Sequence, residues 1–467
     1  MGTISSLLNL AKEALNADQA GLNVTANNVA NQTTVGYTRE VVNDTAQDSI
    51  TINGVSYGDG VAAGPATSVR DRVLEQRVQQ QTQIQSQSAT LQSALEQVES
   101  VFGISSSSTS SSLTQLGTTV DALFSSFTAL ASDPSDAATR QAVLTAASNL
   151  ASTLNQTSAQ ITATTSSLQS QVTTTVGEIN PLLTQIASLN EKIATTSPNG
   201  DAGVLEDQRQ AAIAQLSQYI GLDQITTSLN GIDLTTSNGT PLVSSQVAYP
   251  LSTAVVSGTL QVYGGDGTNV TSGLTGGAIG GALEALTSTI PTIAGQIDTL
   301  AYSIATAVNT QNSAGLTASG TAAGNLFTIG TSSAGAAAAI GVATTDTNAV
   351  AAAGTGEGTT GNTNASALAG LATTAIDGTQ TASEAVSSTL AQIGEAAETA
   401  TNDATVQQAS LTQLTTQRDA LSAVNLDTEA SNLTEYQRSY QAASQVFSIV
   451  DTLLASAINL GVETAVS

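Results

Sequence analysis

The chain has 467 residues, enough for about three domains of roughly 150 residues each. It contains no Cys, His or Trp, which excludes disulfides, thiolate or imidazole metal ligands and His-dependent catalysis. Its 36 acidic and 10 basic residues give a net charge of −26, so neither nucleic acid nor an anionic membrane surface is an expected partner. No apolar run is long enough to predict a membrane span, and the opening residues lack the pattern of a Sec-type signal.

The first thirty residues predict an amphipathic helix. Apolar residues recur at the 4,3,4 spacing of a heptad seam, interrupted at Asp18 and Thr25. The seam consists of Ile4, Leu8, Ala11, Leu15, Leu22 and Val29. Such a helix needs a helical partner, since it cannot bury this stripe alone.

A turn is predicted at residues 26–39, where Asn residues and Gly36 can adopt positive φ. A short hairpin follows, with Asn53-Gly54 at its turn. A long helix is then predicted over residues 73–102, followed by a Ser-rich linker at 105–112.

Helical patterns fill residues 113–131, 137–193 and 203–219, with Pro181 predicting a kink or a helix start. Residues 220–275 differ, because the pairs Asn230-Gly231 and Asn238-Gly239 separate short apolar runs, which predicts a small β-rich insert. Helix returns over 280–311 and 365–421, on either side of a Gly/Ala/Thr-rich stretch at 313–365 that we expect to be flexible.

The last forty residues carry a longer heptad seam, spaced 3,4,3,4,3,4,3. It consists of Leu433, Tyr436, Tyr440, Ala443, Phe447, Val450, Leu454 and Ala457. Burial of one such stripe does not offset the entropy of ordering a free helix, so we expect both termini to be mobile until they pack together and against neighbouring subunits.

No motif predicts catalysis or a cofactor. The glycines at 356, 358 and 361 have the spacing of a dinucleotide loop but lack the preceding apolar strand, which favours a flexible loop. Glu206 and Asp207 are adjacent on a predicted helix and therefore point about 100° apart, unlike a catalytic pair. We interpret the segment EDQR at 206–209 as a solvated helix face. No catalytic, cofactor or metal residue is predicted.

The two ends resemble the axial proteins of the bacterial flagellum. ANNVANQTTVGYTR at 26–39 is similar to the N-terminal signature of rod, hook and hook-associated proteins, and residues 424–454 to their C-terminal signature, although DTEA at 427–430 departs from it. In the middle, DPSDAATRQAVL at 133–144, EDQRQAAIAQLS at 206–217 and LTGGAIGGALEAL at 274–286 resemble the hook-associated protein 1 (FlgK) family.

This resemblance implies a mainly α fold with a small β-rich insert (α+β). Residues 1–40 and 425–467 would form a terminal coiled coil, residues 41–219 and 276–424 a helical bundle, and residues 220–275 an outer β domain. Assembly would depend on the two apolar seams, namely Leu8, Leu15, Leu22 and Val29 against Leu433, Tyr436, Tyr440, Phe447, Val450 and Leu454.

The resemblance further implies a secreted subunit of the hook–filament junction, exported unfolded through the flagellar type III channel. Its partners would be copies of itself in a ring, the hook protein, a second hook-associated junction protein and an export chaperone on residues 425–460. Two alternatives stay open: a hook or rod protein, which shares the ends but lacks the blocks at 133–217, and a secreted binding module built on the β insert.

Overall fold

The protein is mostly helical. A computed structural model describes residues 2–34, 36–52, 54–103, 115–198 and 200–463. Its helices are α1 (Gly2–Ala30), α2 (Arg72–Val101), α3 (Gln115–Ser132), α4 (Ala137–Thr196), α5 (Val204–Tyr219), α6 (Gly277–Glu284), α7 (Ile290–Ser313), α8 (Ala336–Ala339), α9 (Thr363–Gly370), α10 (Ala382–Ser422) and α11 (Leu426–Glu463). Over the described residues, no helix combines the length with the apolarity that a membrane span needs.

Local sequence explains where the helices begin. The Asp71 side chain accepts hydrogen bonds from the backbone N–H of Val73 and Leu74 and caps α2. Thr381 and Glu384 form a capping box at the start of α10. Pro181 lies inside the 60-residue helix α4, where it neither starts nor ends a helix.

Fourteen short strands are present in the described residues. They are β1 (Glu40–Val42), β2 (Thr45–Ala46), β3 (Ile50–Ile52), β4 (Val55–Tyr57), β5 (Val61–Ala62), β6 (Ala66–Ser68), β7 (Asp223–Thr226), β8 (Ile232–Thr235), β9 (Pro241–Ser244), β10 (Val247–Ala248), β11 (Ser252–Val256), β12 (Thr259–Tyr263), β13 (Phe327–Thr328) and β14 (Gly341–Val342). The predicted hairpin is present as β3–β4, although Asn53 lies outside the described residues, as do the predicted linker at 105–112 and residues 464–467.

Residues 40–68 form a single ribbon, which we call the arm. Its strands pair antiparallel in three nested steps, β1 with β6, β2 with β5 and β3 with β4. The arm contacts α1 through β1 and β5. The ribbon starts near the end of α1, where Asn28 binds Glu40, and Gly60 beside β5 lies near Leu10 and Glu13. The ribbon therefore runs back along α1 and has the β3–β4 hairpin at its tip.

The β-rich insert has the predicted turns but shares its core with helices. Strands β7 to β10 form an antiparallel sheet in the order β10-β9-β8-β7, and β11 pairs with β12. Leu234 and Val262 pack in one cluster with Ile186 of α4, Ile213 of α5 and Ile279 of α6. The expected boundaries at 219 and 276 thus mark where the strands begin and end, whereas the shared core extends to residues 172–283.

A second and larger core joins α3, the first half of α4, α7 and the start of α10. Residues 313–365, which we expected to be flexible, belong to it. Leu326, Phe327, Val350 and Ala352 are fully buried there, and Asn309 and Asn312 bind the backbone of the stretch. The structure corrects the expectation, because dispersed apolar residues in a Gly/Ala-rich segment can still pack against α7.

Candidate functional site: the terminal hairpin and its neck

Helices α1 and α11 pack against each other as an antiparallel pair, which we call the terminal hairpin. Asn28 near the end of α1 donates a hydrogen bond to Glu429 near the start of α11 at 3.2 Å, in a buried position. Two turns further along, a Cβ on Gly21 would lie only 2.6 Å from two ring atoms of Tyr436. The absent side chain of Gly21 therefore makes the space that the Tyr436 ring occupies.

Most of the predicted seam residues are buried or half-buried. Val450 is buried, and the half-buried positions are Leu8, Leu15, Leu22, Leu433, Tyr436, Phe447 and Leu454. Val29 and Tyr440 are 42% and 39% exposed, so they contribute little to packing within the chain. The inward position near the end of α1 is taken by Asn28 instead, because this amide bonds to Glu429, Glu40 and Tyr37.

Helix α11 has a second apolar stripe that no described residue covers. We call it the outer stripe, and it comprises Val446, Ile449 and Leu453, with Ile449 61% exposed. At about 100° per residue, Ile449 lies roughly 100° around the helix from Val450, which faces inward. A helix that is apolar on two sides needs two partners, and α1 provides only one.

The base of the terminal hairpin is tied to the rest of the chain by a buried polar network, which we call the neck. Thr38 donates its backbone N–H to Asp207 at 3.1 Å, and Arg70 pairs with both Glu206 (2.8 Å) and Asp207. Arg72 reaches Glu206 from the exposed side at 3.3 Å. The network connects the loop after α1, the end of the arm and the first turn of α5.

The neck corrects our interpretation of EDQR as a solvated helix face. Glu206, Asp207 and Arg209 are all buried. Arg209 donates to Asn190 Oδ1 at 2.9 Å and to the Asn230 carbonyl at 2.6 Å, so it ties α4 to the β insert, while its Nε has no partner among the described residues. Sequence analysis missed these contacts because the basic partners of the acids lie more than 130 positions away.

Burial governs the electrostatics of the neck. It raises the pKa of Asp207 in spite of the hydrogen bond from Thr38 and the charge of Arg70, and it raises the pKa of Glu40 in spite of Asn27. Burial also lowers the pKa of Arg209 to about 10. For Asp201, burial is outweighed by hydrogen bonds from Ser68 and Gly203, which lower its pKa.

The charged groups of the neck bind one another, and the exposed parts of the terminal hairpin carry apolar side chains. Within the described ranges, no group of three or more acidic side chains is placed to hold a metal ion. The buried carboxylates of the neck are engaged by Arg70, Arg72 and backbone N–H groups, which leaves them structural. The exposed features of the site are apolar, and they lie on the terminal hairpin and at the tip of the arm.

Comparison with known proteins assigns a family to this architecture. The sequence-family model for the helical domain of flagellar hook-associated protein FlgK matches residues 95–327. The model of the flagella basal body rod protein matches residues 8–38, and the C-terminal model of the flagellar basal body rod proteins FlgEFG matches residues 417–460. The chain therefore belongs to the axial proteins of the bacterial flagellum.

Proteins of similar sequence indicate which family of axial proteins the chain belongs to. Flagellar hook-associated protein 1 of Escherichia coli K12 is 31% identical over 343 residues, which cover 70% of this chain and 60% of that protein. Flagellar hook-associated protein 1 of Bacillus subtilis 168 is 28% identical over 97% of both chains. The chain is a member of the hook-associated protein 1 (FlgK) family, and it matches about 60% of the length of the Escherichia coli relative.

A solved structure has the same fold. The flagellar hook junction protein FlgK from Burkholderia pseudomallei aligns with a TM-score of 0.67 at 20% identity, over 73% of this chain and 99% of that one. The predicted fold class, mainly α with a small β-rich insert, is confirmed.

Proposed function

We propose that this chain is a structural subunit of the bacterial flagellum that joins the hook to the filament and has no enzymatic activity. The observation that carries the proposal is the double-sided terminal hairpin. Its inner seam is covered within the chain, whereas the outer stripe of Val446, Ile449 and Leu453 is exposed. An exposed apolar helix face beside a packed one is typical of a surface that other subunits cover.

Family membership supports the particular place in the flagellum. The relatives carry the name hook-associated protein 1, and the model matching residues 95–327 is that of FlgK. A hook or rod protein is the weaker candidate, because the rod models match only residues 8–38 and 417–460. In the described part of the chain, no feature favours a secreted binding module.

The proposal includes partners and a route. Copies of the chain would form a ring through their terminal hairpins, between the hook protein and a second hook-associated junction protein. Export through the flagellar type III channel to the cell exterior would precede folding, with an export chaperone on residues 425–460. The terminal helices would become fully ordered only in the ring.

Deletion of the gene in its flagellated host tests the place in the assembly. The expected result is complete hooks without filaments in electron micrographs, with filament protein released into the medium. Missing hooks would move the assignment to a hook or rod protein. Normal flagella would overturn the proposal.

A double substitution tests the role of the inner seam. Leu433→Asp with Phe447→Asp should leave the chain exportable but abolish its incorporation, because both half-buried side chains pack within the terminal hairpin. The matched control is Gln437→Asp with Ser444→Asp, which adds the same charge to exposed positions of α11. Normal motility of the seam variant would contradict the assembly role.

A further inference from the structure

We infer that the tip of the arm binds the outer stripe of α11 on the next copy of the chain. The inference rests on the proposed function, which requires copies to form a ring, and it adds which two surfaces meet. Both surfaces are apolar, exposed and unpartnered among the described residues.

The arm has a fixed base and an uncovered tip. Ser68, at its returning end, donates from both backbone N–H (2.6 Å) and hydroxyl (2.5 Å) to Asp201, and Asn28 binds the backbone of Glu40 at its outgoing end. At the tip, all three residues of β4 are exposed, with Val55 at 53%. An isolated two-stranded hairpin is marginal in water, so the tip gains stability when a partner covers it.

The tip and the outer stripe match in pattern and length. Val55 and Tyr57 lie two residues apart on β4 and therefore on the same side of the ribbon, with Ser56 on the other side. Three strand residues span about 10 Å. The outer stripe, from Val446 to Leu453, advances seven residues along α11 and also spans about 10 Å.

Arg438 gives α11 one position of charge complementarity to the arm, although the helix also carries five acidic residues. The arm carries Asp44 and Asp48 and has no basic residue between Arg39 and Arg70. Arg438 is the only basic residue of α11 and is exposed. It lies three turns before Ile449, within about 20° of it around the helix. An acidic arm that lies along the outer stripe would therefore meet Arg438.

Symmetry excludes the simplest alternative for a ring. If the outer stripes of two copies paired with each other, the contact would be isologous and would close at two subunits. A ring needs a heterologous contact between two different surfaces. The arm tip and the outer stripe are two such surfaces on one chain.

The absence of native cysteine permits a direct test. Two single-cysteine chains, Tyr57→Cys and Ile449→Cys, are produced together in the host that lacks the natural gene, and isolated flagella are treated with a short bismaleimide. Since each chain has one thiol, a Tyr57–Ile449 adduct can form only between copies. Single-variant flagella identify any homodimers. The matched control replaces Ile449→Cys by Ser444→Cys, an exposed position on the same helix about 140° away.

The expected result is a mixed dimer with Ile449→Cys and a loss of at least tenfold in its yield with Ser444→Cys. Equal yields, or no dimer in flagella that swim normally, would overturn the inference and leave the proposed function standing. If Leu7→Cys replaces Tyr57→Cys and forms the mixed dimer with Ile449→Cys instead, the outer stripe contacts α1 of the next copy and the inference is wrong. Failure of the proposed function is recognised separately, by normal flagella after gene deletion.

A charge exchange provides a second readout if the cysteine chains do not assemble. Arg438→Glu should reduce incorporation into flagella, and the additional change Asp48→Lys should restore it; Asp44 is left unchanged because its charge acts on Tyr436 of the same chain. The inference is contradicted if the Arg438→Glu chain is incorporated normally, or if the charge exchange does not restore its incorporation.

Discussion

Replacing Gly21 by alanine tests the contact that sets the spacing of the terminal hairpin. The added Cβ would lie 2.6 Å from two atoms of the Tyr436 ring and 2.8 Å from a third, well inside van der Waals contact. Tyr436 is half-buried, so either its ring must rotate away or α1 and α11 must move apart to admit the methyl group. Overpacking of this kind costs about 1–3 kcal/mol.

Helix propensity acts in the opposite direction, so the sign of the change in hairpin stability on Gly21→Ala shows which effect is larger. Alanine is favoured over glycine inside a helix by about 1 kcal/mol. The net effect of Gly21→Ala is therefore a loss of about 0–2 kcal/mol in the native background. With Tyr436→Ala present the steric conflict is gone, and the same substitution should stabilise the hairpin by about 1 kcal/mol.

Hydrogen exchange of the α1 and α11 amides measures the opening of the hairpin in all four chains of this cycle. A difference of about 1.4 kcal/mol is a tenfold change in protection. The expected coupling between the two substitutions is about 1–3 kcal/mol. If Gly21→Ala increases protection equally in both backgrounds, the Tyr436 ring does not occupy the space above Gly21 and the reasoning is refuted.

Two further substitutions address the body and the neck. Gly281→Ala should lower the free energy of unfolding by about 1–3 kcal/mol, because its Cβ would collide with the Gln87 carbonyl oxygen of α2. Gly295→Ala in α7 is the control: its Cβ meets no atom within 4 Å, so it should raise the free energy of unfolding by up to about 1 kcal/mol. Chemical denaturation measures both changes. Asp207→Asn should flatten the dependence of stability on pH. Since burial raises the pKa of Asp207, its contribution is fully present below the ordinary value of about 4 and is lost as pH rises through the raised pKa. Asp44→Asn removes the same charge from an exposed position, and an equal flattening by this control would contradict the assignment to Asp207.

Periodicity predicted several helices closely, because their burial pattern repeats within a few residues, whereas the helix predicted over 365–421 is interrupted between the end of α9 and the start of α10 at Ala382. The helix predicted at 73–102 is observed at Arg72–Val101, and the one predicted at 203–219 at Val204–Tyr219. Along the C-terminal seam the heptad spacing coincides with buried or half-buried positions, except at exposed Tyr440. The Asn238-Gly239 turn was placed correctly between β8 and β9, because this dipeptide favours the turn in any context.

The neck could not be predicted in this way, because its contacts are between distant parts of the chain. Arg70 and Glu206 are separated by 136 positions, and nothing near either residue indicates its partner. The one available signal was the uneven distribution of basic residues, since Arg70 and Arg72 stand together beside a helix cap. Residues 313–365 were misjudged for a related reason: a composition rich in Gly and Ala indicates weak local preferences but does not exclude tertiary packing.

The position of the neck explains why charged groups are buried there. The terminal hairpin joins the body through two short connections, the loop after α1 and residues 423–425 before α11. Apolar contacts at such a junction would tolerate sliding, because they are not directional. The bonds from Thr38 to Asp207 and from the Arg39 N–H to the Ser422 carbonyl are directional and fix the angle between hairpin and body. Breaking them would leave buried charges unpaired, at a cost of several kcal/mol. Because the arm is held by the same network through Asp201 and Arg70, its tip keeps a set orientation relative to the outer stripe, as a repeating contact between copies requires.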